Sequence, residues 1–192
     1  MKPKVAHIIV TDKCGHNCPM CCNRNYDIHE IPNITREELE SVETICLTGG
    51  EPFMSKDIDM FIDKLRPYAK NLYVYASGAE LYNYWKKNNK VPNIDGLSIS
   101  PKTMSDYRLL IGLLKNDCFR SMLRCKSNRL YIFIKQIDPA NFQTEEEDFD
   151  AVLGLIILAQ SLFNVFFRVW KDEIVSPEGE IFRNINFEEL GI

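Results

Sequence analysis

The sequence predicts an α/β fold with a parallel sheet, because three patterns agree. Short apolar runs recur along the chain and alternate with segments of helical periodicity. The runs are rich in Ile, Val, Tyr and Phe, as is typical of strands buried on both faces. The helical segments between them supply the right-handed crossovers that parallel strands require. The predicted strands are Ala6–Val10, Thr44–Leu47, Leu72–Ala76, Gly96–Ser100, Leu130–Ile134 and Val165–Val169.

The helical segments have start and stop signals of their own. Thr35 and Thr144 are each followed three positions later by Glu, the pattern of a capping box. An apolar stripe at helical spacing begins at Ile58, and Pro67 is expected to end that helix. Another amphipathic segment follows Thr103. These elements predict helices after the first, second, fourth and fifth predicted strands.

Six strand–helix units are too few for a complete eight-stranded barrel. The sheet is therefore predicted to be an open partial barrel or a doubly wound layer, with functional residues at the carboxyl ends of the strands. No internal repeat or linker interrupts the chain. We expect one domain over residues 1–192, with a core of about 5–170 and a short C-terminal tail of 171–192.

Composition and charge disfavour several classes of protein. The net charge of −4 disfavours binding to nucleic acid, although it leaves room for a local basic groove, and 45% hydrophobic with 26% charged residues is typical of a soluble domain. The apolar segment Val5–Val10 is too short for a signal peptide. The longer segment Ala151–Trp170 contains polar residues, among them Arg168, which favours a buried helix followed by a strand over a membrane span.

The cysteines are the most informative part of the composition. Seven cysteines without an export signal indicate a reducing compartment, the cytoplasm, where clustered thiols indicate metal or redox chemistry. The loop after the first strand, TDKCGHNCPMCCN, has the spacing Cys14-x3-Cys18-x2-Cys21. Thiolates are the usual ligands of iron–sulfur clusters. Three protein ligands to a four-iron cluster leave one iron open to an external molecule.

A zinc site is the alternative for the same loop. Structural zinc usually takes four ligands, and His16 or Cys22 would complete the set locally. We assign Cys21 as the third ligand and keep Cys22 as its substitute, because adjacent side chains rarely point at one cluster. The three scattered cysteines are predicted to be small buried apolar residues, the usual environment of a free thiol; these are Cys46, Cys118 and Cys125.

A glycine-rich turn follows the second predicted strand, in the segment LTGGEPFM. Gly49 and Gly50 allow the backbone to bend sharply and to approach a ligand closely. Glu51 places a carboxylate at the carboxyl edge of the strand, and Pro52 restricts the turn. Such a turn alone is weak evidence for a site. After a C-x3-C-x2-C loop on the preceding strand, it indicates a cofactor site.

The pair CGHNCPMC and GGEP, in that order, resembles the radical S-adenosylmethionine (radical SAM) superfamily. The resemblance extends from about Val5 to Trp170, with Met20 where the family usually has an aromatic residue, and implies a partial (β/α)6 barrel. It implies that the three cysteines bind a 4Fe-4S cluster and that GGEP binds the methionine amino group of S-adenosylmethionine (SAM). An electron from the cluster, supplied by a donor such as flavodoxin or ferredoxin, then yields a 5′-deoxyadenosyl radical that abstracts hydrogen from the substrate.

The resemblance implies further contacts to SAM. Ser77 lies in the segment Ala-Ser-Gly, where the family often has Thr-Asn-Gly, and is a candidate hydrogen-bond donor. Ser100, at the end of the fourth strand, is the candidate contact to the ribose. Lys102 is the candidate partner of the methionine carboxylate, and Lys135 and Arg168 are alternatives for that role.

Three hypotheses remain for the function and its substrate. The Ser-Pro-Lys segment is similar to the 7-carboxy-7-deazaguanine synthase branch, which implies a small deazapurine or pterin-like heterocycle, although the Gln-Gly-Glu-Gly substrate segment of that branch is missing. The Cys-Asn pair after the third cysteine resembles activases of glycyl-radical enzymes of the anaerobic ribonucleotide reductase type. A non-catalytic iron–sulfur or zinc-binding module is the third. We favour the small molecule, because six strand–helix units can enclose a pocket.

Overall fold

The computed structural model describes residues 4–16, 18, 21, 27–124, 126–134, 146–169 and 179–192. Strands and helices alternate along most of this part of the chain. The strands are β1 (Val5–Thr11), β2 (Thr44–Gly49), β3 (Asn71–Ala76), β4 (Gly96–Ile99), β5 (Asn128–Ile134), β6 (Phe163–Val169) and β7 (Glu180–Arg183). The helices are α1 (Arg36–Ser41), α2 (Ile58–Leu65), α3 (Gly78–Asn88), α4 (Met104–Leu114), α5 (Asp117–Leu123), α6 (Glu146–Ala159) and α7 (Phe187–Leu190).

The chain divides into two compact units. The first comprises Met1–Tyr75, Pro92–Asp95 and Ile174–Ile192, and the second comprises Ala76–Val91 and Gly96–Glu173. The six predicted strands all form, and every described strand pair is parallel. The parallel α/β class predicted from the sequence is therefore confirmed.

The first unit is a parallel sheet in the order β3-β2-β1-β7, with helices α1, α2 and α7. Ile8, Ile45, Leu47 and Leu72 are completely buried in this sheet, which accounts for the apolar runs in the sequence. Strands β1, β2 and β3 lie side by side in chain order, as β4, β5 and β6 do in the second unit, and β7 pairs with the other side of β1. This sequential order of strands favours the partial barrel of the two predicted alternatives.

Strand β7 lies in the C-terminal tail, 171–192, where no strand was predicted. It pairs with β1 from Val5↔Glu180 to Ile8↔Arg183. Buried His7 of β1 stacks on Phe182 at 4.5 Å between ring centroids, and its Nε2 lies 2.7 Å from a Glu180 carboxylate oxygen. Burial lowers the pKa of His7, although Glu180 opposes this shift. The contacts of His7 thus help to hold β7 against the sheet.

A partly buried ion pair joins the same strand to α1. The Glu38 carboxylate accepts hydrogen bonds from Arg183 Nη2 at 2.6 Å and from Arg183 Nε at 3.1 Å. Glu38 also completes the predicted capping box with Thr35, whose backbone N–H donates to it at 3.1 Å. The Arg183 hydrogen bond is the main cause that lowers the pKa of Glu38 below its ordinary 4.5.

We expect Arg183→Gln to lower the free energy of unfolding by about 1 kcal/mol near neutral pH, as is typical of a well-aligned bidentate pair. A carboxyl group whose folded pKa is depressed stabilises the protein above its unfolded pKa, and this stability is lost as pH falls through the folded pKa. The difference between wild type and variant should therefore shrink below pH 4.5. Thermal unfolding followed by circular dichroism from pH 3 to 7 measures it.

The control for this prediction is Glu40→Gln. Glu40 pairs with Arg36 at 3.0 Å, but the two side chains are 56% and 53% exposed. We expect a change below about 0.5 kcal/mol. A loss for Arg183→Gln that is the same at pH 3 and pH 7 would show that packing, and not the ion pair, is responsible.

The second unit contains β4-β5-β6 as parallel neighbours, with helices α3 to α6. Its core includes Leu97, Ile99, Leu110 and Phe119, all completely buried. The predicted apolar segment 151–170 divides, as expected, into the end of α6 and strand β6. In the described part of the chain, no helix has the length and apolar character needed to cross a membrane.

Asn128 is the principal buried polar residue at the start of β5. Its carbonyl oxygen accepts from Leu97 N at 3.1 Å, and its amide nitrogen donates to the carbonyl oxygens of Leu123 and Leu162, also at 3.1 Å. With 1% exposure, this side chain satisfies three backbone groups that would otherwise be buried without a partner. It therefore fixes the entry of β5 between β4 and the turn before β6.

The helix predictions have mixed outcomes. Helices α1, α2 and α4 begin where the sequence indicated, and α2 ends at Leu65, two residues before Pro67. The Thr144 capping box lies outside the described residues, although α6 begins nearby at Glu146. Helices α3, α5 and α7 were not predicted.

Candidate active site

The cysteine loop begins where β1 ends at Thr11. Cys14 is exposed, and Cys18 and Cys21 are half-buried, so the three thiols are accessible to a metal cluster. The backbone N–H of His16 donates to Cys14 Sγ at 3.4 Å, and Cys21 N donates to the Cys18 carbonyl oxygen at 3.3 Å. The second bond joins the backbones of the second and third predicted ligands. These contacts order parts of the loop locally.

The structure does not bring the three thiols together. Within the described ranges, no group of three His, Cys, Asp or Glu side chains is close enough to hold a metal ion. The donor set nevertheless fits an iron–sulfur cluster, because it consists of three accessible thiols. Cys22, the predicted substitute for Cys21, lies outside the described residues.

The GGEP turn is attached directly to the first residues of the cysteine loop. Gly50 N donates to the carbonyl oxygen of Thr11 at 2.7 Å, and Glu51 N donates to that of Lys13, also at 2.7 Å. The register of β1 against β2 shifts between Ile9 and Thr11, so that Thr11 stands opposite Gly49. The turn is thereby fixed one residue before Cys14.

The two glycines are needed for this attachment. Gly49 has φ +123°, a conformation that L side chains rarely adopt, and a Cβ there would overlap the Thr11 carbonyl oxygen. A Cβ on Gly50 would lie 2.6 Å from the Lys13 carbonyl carbon and 2.7 Å from the Asp12 oxygen. Both glycines were predicted to allow the close approach of a ligand. In the structure, their close contacts are to the backbone of residues 11–13.

Glu51 and Pro52 follow as a buried corner. Both are buried, and Pro52 begins a short 3-10 turn, Pro52–Met54, in which Met54 N donates to the Glu51 carbonyl oxygen at 2.8 Å. The N–H groups of Gly50 and Glu51 both donate within the chain. The carbonyl oxygens of the turn and the Glu51 carboxylate are hydrogen-bond acceptors. The turn is therefore suited to a donor such as an amino group.

In the second unit, the structure places Ser77 and Ser100 at the ends of β3 and β4. Ser77 is buried and caps α3, with its side chain accepting from Glu80 N at 3.4 Å. Ser100 N donates to the Ala76 carbonyl oxygen at 2.9 Å, which joins the two strand ends. Ser77 and Ser100 thus lie in adjacent connections. A hydroxyl group that accepts a hydrogen bond also has a proton to donate, so capping is compatible with a ligand contact by Ser77.

Lys102 lies in the same connection as Ser100, and a residue that sequence analysis missed holds its backbone. Asp106 in α4 is completely buried and accepts from Lys102 N and Thr103 N, both at 2.9 Å. Burial, and secondarily the charge of Asp106, raises the pKa of the neighbouring Tyr107 to about 12. The signal for Asp106 was its position three residues after Thr103, where a capping box places an acid.

The alternatives to Lys102 have separate outcomes. Lys135 lies outside the described residues. Arg168 of β6 is exposed, and its guanidinium carbon lies 4.3 Å from the centroid of the Tyr131 ring. That arrangement is a cation–π contact, which accounts for Arg168 without a ligand.

The prediction for the scattered cysteines was partly wrong. Cys46 is buried in β2, as expected. Cys118 is exposed, because α5 buries Phe119 and Leu123, four residues apart, and so turns its second residue towards solvent. Cys125 lies outside the described residues.

Part of the chain is similar to known proteins named GTP 3′,8-cyclase. A relative named "Probable GTP 3′,8-cyclase" from Pyrococcus abyssi is 30% identical over 116 residues, which are 55% of this chain and 37% of the relative. A "GTP 3′,8-cyclase" from Nautilia profundicola is 33% identical over 93 residues, 42% of this chain and 29% of the relative. One from Campylobacter jejuni is 28% identical over 128 residues, 60% of this chain and 40% of the relative.

No protein-family model matches the chain. The matched part of the chain spans 29% to 40% of the length of these three curated relatives. The similarity supports a place in the radical SAM superfamily, to which GTP 3′,8-cyclase belongs.

Proposed function

We propose that the chain is the radical SAM core of an enzyme that acts on a guanine-derived small molecule. The observation that supports this most is the pair of 2.7 Å hydrogen bonds from Gly50 N and Glu51 N to residues 11 and 13. A structural zinc or iron–sulfur site does not require a glycine-rich turn next to its first ligand. A site that binds cluster and cofactor side by side does, because the two must be held in a fixed relation.

In this proposal, Cys14, Cys18 and Cys21 hold a 4Fe-4S cluster. When bound, the cluster supplies the electron that cleaves SAM to methionine and a 5′-deoxyadenosyl radical, which takes a hydrogen atom from the substrate. The contribution of the chain is to present three accessible thiolates. The backbone N–H of His16 also donates to Cys14 Sγ at 3.4 Å, and hydrogen bonds to ligand sulfur are among the factors that set cluster potentials.

The remaining site residues are proposed to bind SAM. The GGEP turn offers acceptors, which suit the methionine amino group. Ser77 and Ser100 lie in connections joined by the Ser100 N to Ala76 O bond of 2.9 Å, and they offer hydroxyl groups to the ribose and methionine portions. Lys102 offers a cation to the methionine carboxylate. A flavodoxin or ferredoxin would be the electron donor.

A guanine-derived substrate is supported by the relatives, which bear the name GTP 3′,8-cyclase. The chain corresponds to less than half of each relative, so GTP itself is the probe to test and not an assigned substrate. Guanine shares a fused 2-amino-4-oxopyrimidine ring with deazaguanines and pterins, the heterocycles expected from the Ser-Pro-Lys segment. The two lines of inference therefore point to one class of substrate.

The test is anaerobic reconstitution of the chain with iron and sulfide, followed by reduction with dithionite in the presence of SAM. We expect about four irons and four sulfides per chain, and 5′-deoxyadenosine detected by mass spectrometry. Addition of GTP should increase the yield of 5′-deoxyadenosine, whereas ATP, the matched control, should not. The increase is expected because a bound substrate lets the radical complete a hydrogen abstraction.

The outcomes separate the hypotheses. Stoichiometric zinc without iron binding would identify a zinc module, and a full cluster without 5′-deoxyadenosine would identify a non-catalytic iron–sulfur module. Formation of 5′-deoxyadenosine that responds equally to GTP and ATP would retain radical SAM chemistry and reject the guanine-derived substrate. A glycyl-radical activase would instead give 5′-deoxyadenosine that depends on a partner protein.

A further inference from the structure

The carboxylate of Asp106 makes more contacts than a helix start needs. In a capping box the acid at this position accepts from the backbone N–H of the N-cap residue, here Thr103 N at 2.9 Å. Asp106 Oδ2 also accepts from Lys102 N at 2.9 Å and from the Thr103 hydroxyl at 3.1 Å. Its second oxygen, Oδ1, accepts from Ala79 N at 2.9 Å. The extra donor comes from a different helix, α3.

The connection before α3 also contacts the backbone of Asp106. A Cβ on Gly78 would overlap the Asp106 carbonyl oxygen and would lie 3.0 Å from its carbonyl carbon. Glycine at this position is therefore needed for the first turn of α3 to pack on the first turn of α4. Together with the Ser100 N to Ala76 O bond of 2.9 Å, these contacts join the connection after β3 to the connection after β4.

Because Asp106 is buried, its carboxylate requires these hydrogen bonds. The residue is completely buried, and a carboxylate in that environment must be satisfied by hydrogen bonds. Three backbone N–H groups and one hydroxyl group provide them. A side chain with one oxygen fewer leaves a buried N–H group on one of the two connections without its partner. The carboxylate thus fixes both connections at once.

We infer that Asp106 is a positioning residue for SAM binding, which sets the placement of Ser77 relative to Lys102 by accepting from the backbone N–H groups of Ala79 and of Lys102 itself. Ser77 is two residues before Ala79, and Lys102 donates to the carboxylate through its own backbone N–H. The inference rests on the proposed function, because Ser77 and Lys102 are assigned to SAM only there. It adds a residue that does not contact the cofactor.

The test compares Asp106→Asn with Thr103→Ala as the matched control. Asp106→Asn keeps the size of the side chain but replaces one carboxylate oxygen with an NH2 group, which cannot accept from Ala79 N or from Lys102 N. Thr103→Ala removes the side-chain acceptor for Asp106 N at 3.2 Å and one donor to the carboxylate, while the bonds to Ala79 and Lys102 remain. Both variants weaken the start of α4.

Two measurements are made at a temperature well below the Tm of each variant. Amide hydrogen exchange by NMR reports the backbone N–H groups of Ala79 and Lys102. Equilibrium dialysis of SAM against the anaerobically reconstituted protein reports affinity, with iron content determined on the same samples. The first measurement tests the connection between the two segments without relying on activity.

For Asp106→Asn we expect faster exchange at Ala79 or Lys102 and a Kd for SAM raised about 10- to 100-fold, an effect of the size typical when a residue that orients a metal ligand is lost. Iron content should be unchanged, and kcat for 5′-deoxyadenosine should fall less than KM for SAM rises. For Thr103→Ala we expect a comparable loss of Tm, but Ala79 exchange as in wild type and a Kd within about twofold.

Contrary outcomes are distinguishable. Wild-type affinity for SAM in a folded Asp106→Asn variant would overturn this inference and leave the proposed function intact, as would an equal loss of affinity in Thr103→Ala. Iron-loaded wild type that binds no SAM would overturn the proposed function and this inference with it.

Discussion

Replacing Cys14, Cys18 or Cys21 with alanine is expected to abolish the cluster, from about four irons per reconstituted chain to a residual level. The loss of one of the three protein ligands cannot be compensated, because the fourth iron of a cubane is left for the external molecule. Production of 5′-deoxyadenosine should fall below detection in each variant. Circular dichroism should remain that of wild type, because Cys14 is exposed and Cys18 and Cys21 are half-buried, outside the hydrophobic core.

Two further cysteines serve as matched controls. Cys118 is exposed, like Cys14, but lies in α5, and Cys46 is buried in β2. Alanine at either position should leave iron content unchanged. Cys22→Ala tests the assignment of the third ligand: full iron content is expected. Loss of the cluster in Cys22→Ala with retention in Cys21→Ala would make Cys22 the third ligand in place of Cys21. Full iron content in each of the Cys14→Ala, Cys18→Ala and Cys21→Ala variants would refute the cluster site.

Much of the fold could be predicted because strands such as β1, β2 and β3 are largely buried on both faces. Residues such as Ile45 and Leu72 are buried whatever neighbours they contact, so their apolar character is visible in the sequence alone. Strand β7 has no such signal. Its four residues are only partly buried, and it exists because β1 offers an edge with His7 and Phe182 in contact. That partner is 173 residues away in sequence from Glu180, so local pattern cannot reveal it.

Helix α3 was not predicted, although its sequence contains the signals of a helix. Leu81, Tyr84 and Trp85 are buried at helical spacing, and Ser77 precedes Glu80 by three residues, as in a capping box. The polar residues between them obscured the stripe. The prediction for Cys118 failed for a related reason. A preference for burial describes cysteines in general, whereas the face of α5 is set by Phe119 and Leu123.

For the candidate site, the sequence indicated candidate residues but not the groups that they contact. The CxxxCxxC loop and the GGEP turn were identified from spacing, and the structure joins them through residues 11–13. Only the three-dimensional structure shows that these glycines contact backbone. The sequence pattern is the same for a glycine that makes room for a ligand and for one that makes room for a neighbouring strand. Asp106 likewise depends on Ala79, which lies 27 residues away.

The contacts of the glycines change what substitution at Gly50 should do. We expect Gly50→Val to lose most of the iron of the reconstituted cluster as well as SAM binding, because the Cβ would lie 2.6 Å from the Lys13 carbonyl carbon. Relief of that overlap must move residues 12 and 13, and Cys14 follows directly. The free energy of unfolding should fall by about 2 to 4 kcal/mol, since buried backbone hydrogen bonds are lost along with packing. Iron analysis and thermal unfolding measure both effects.

The matched control is Gly112→Ala in α4, where a Cβ would have no atom within 4 Å. That substitution should retain the cluster and stabilise the protein by roughly 0.5 to 1 kcal/mol, because alanine favours the helix interior. If Gly50→Val instead keeps its full iron content and loses only SAM affinity, then the glycine serves the cofactor directly and the loop tolerates the added side chain. If both are kept, neither role holds. Loss of both, with Gly112→Ala intact, is the result expected when one turn positions the cluster loop.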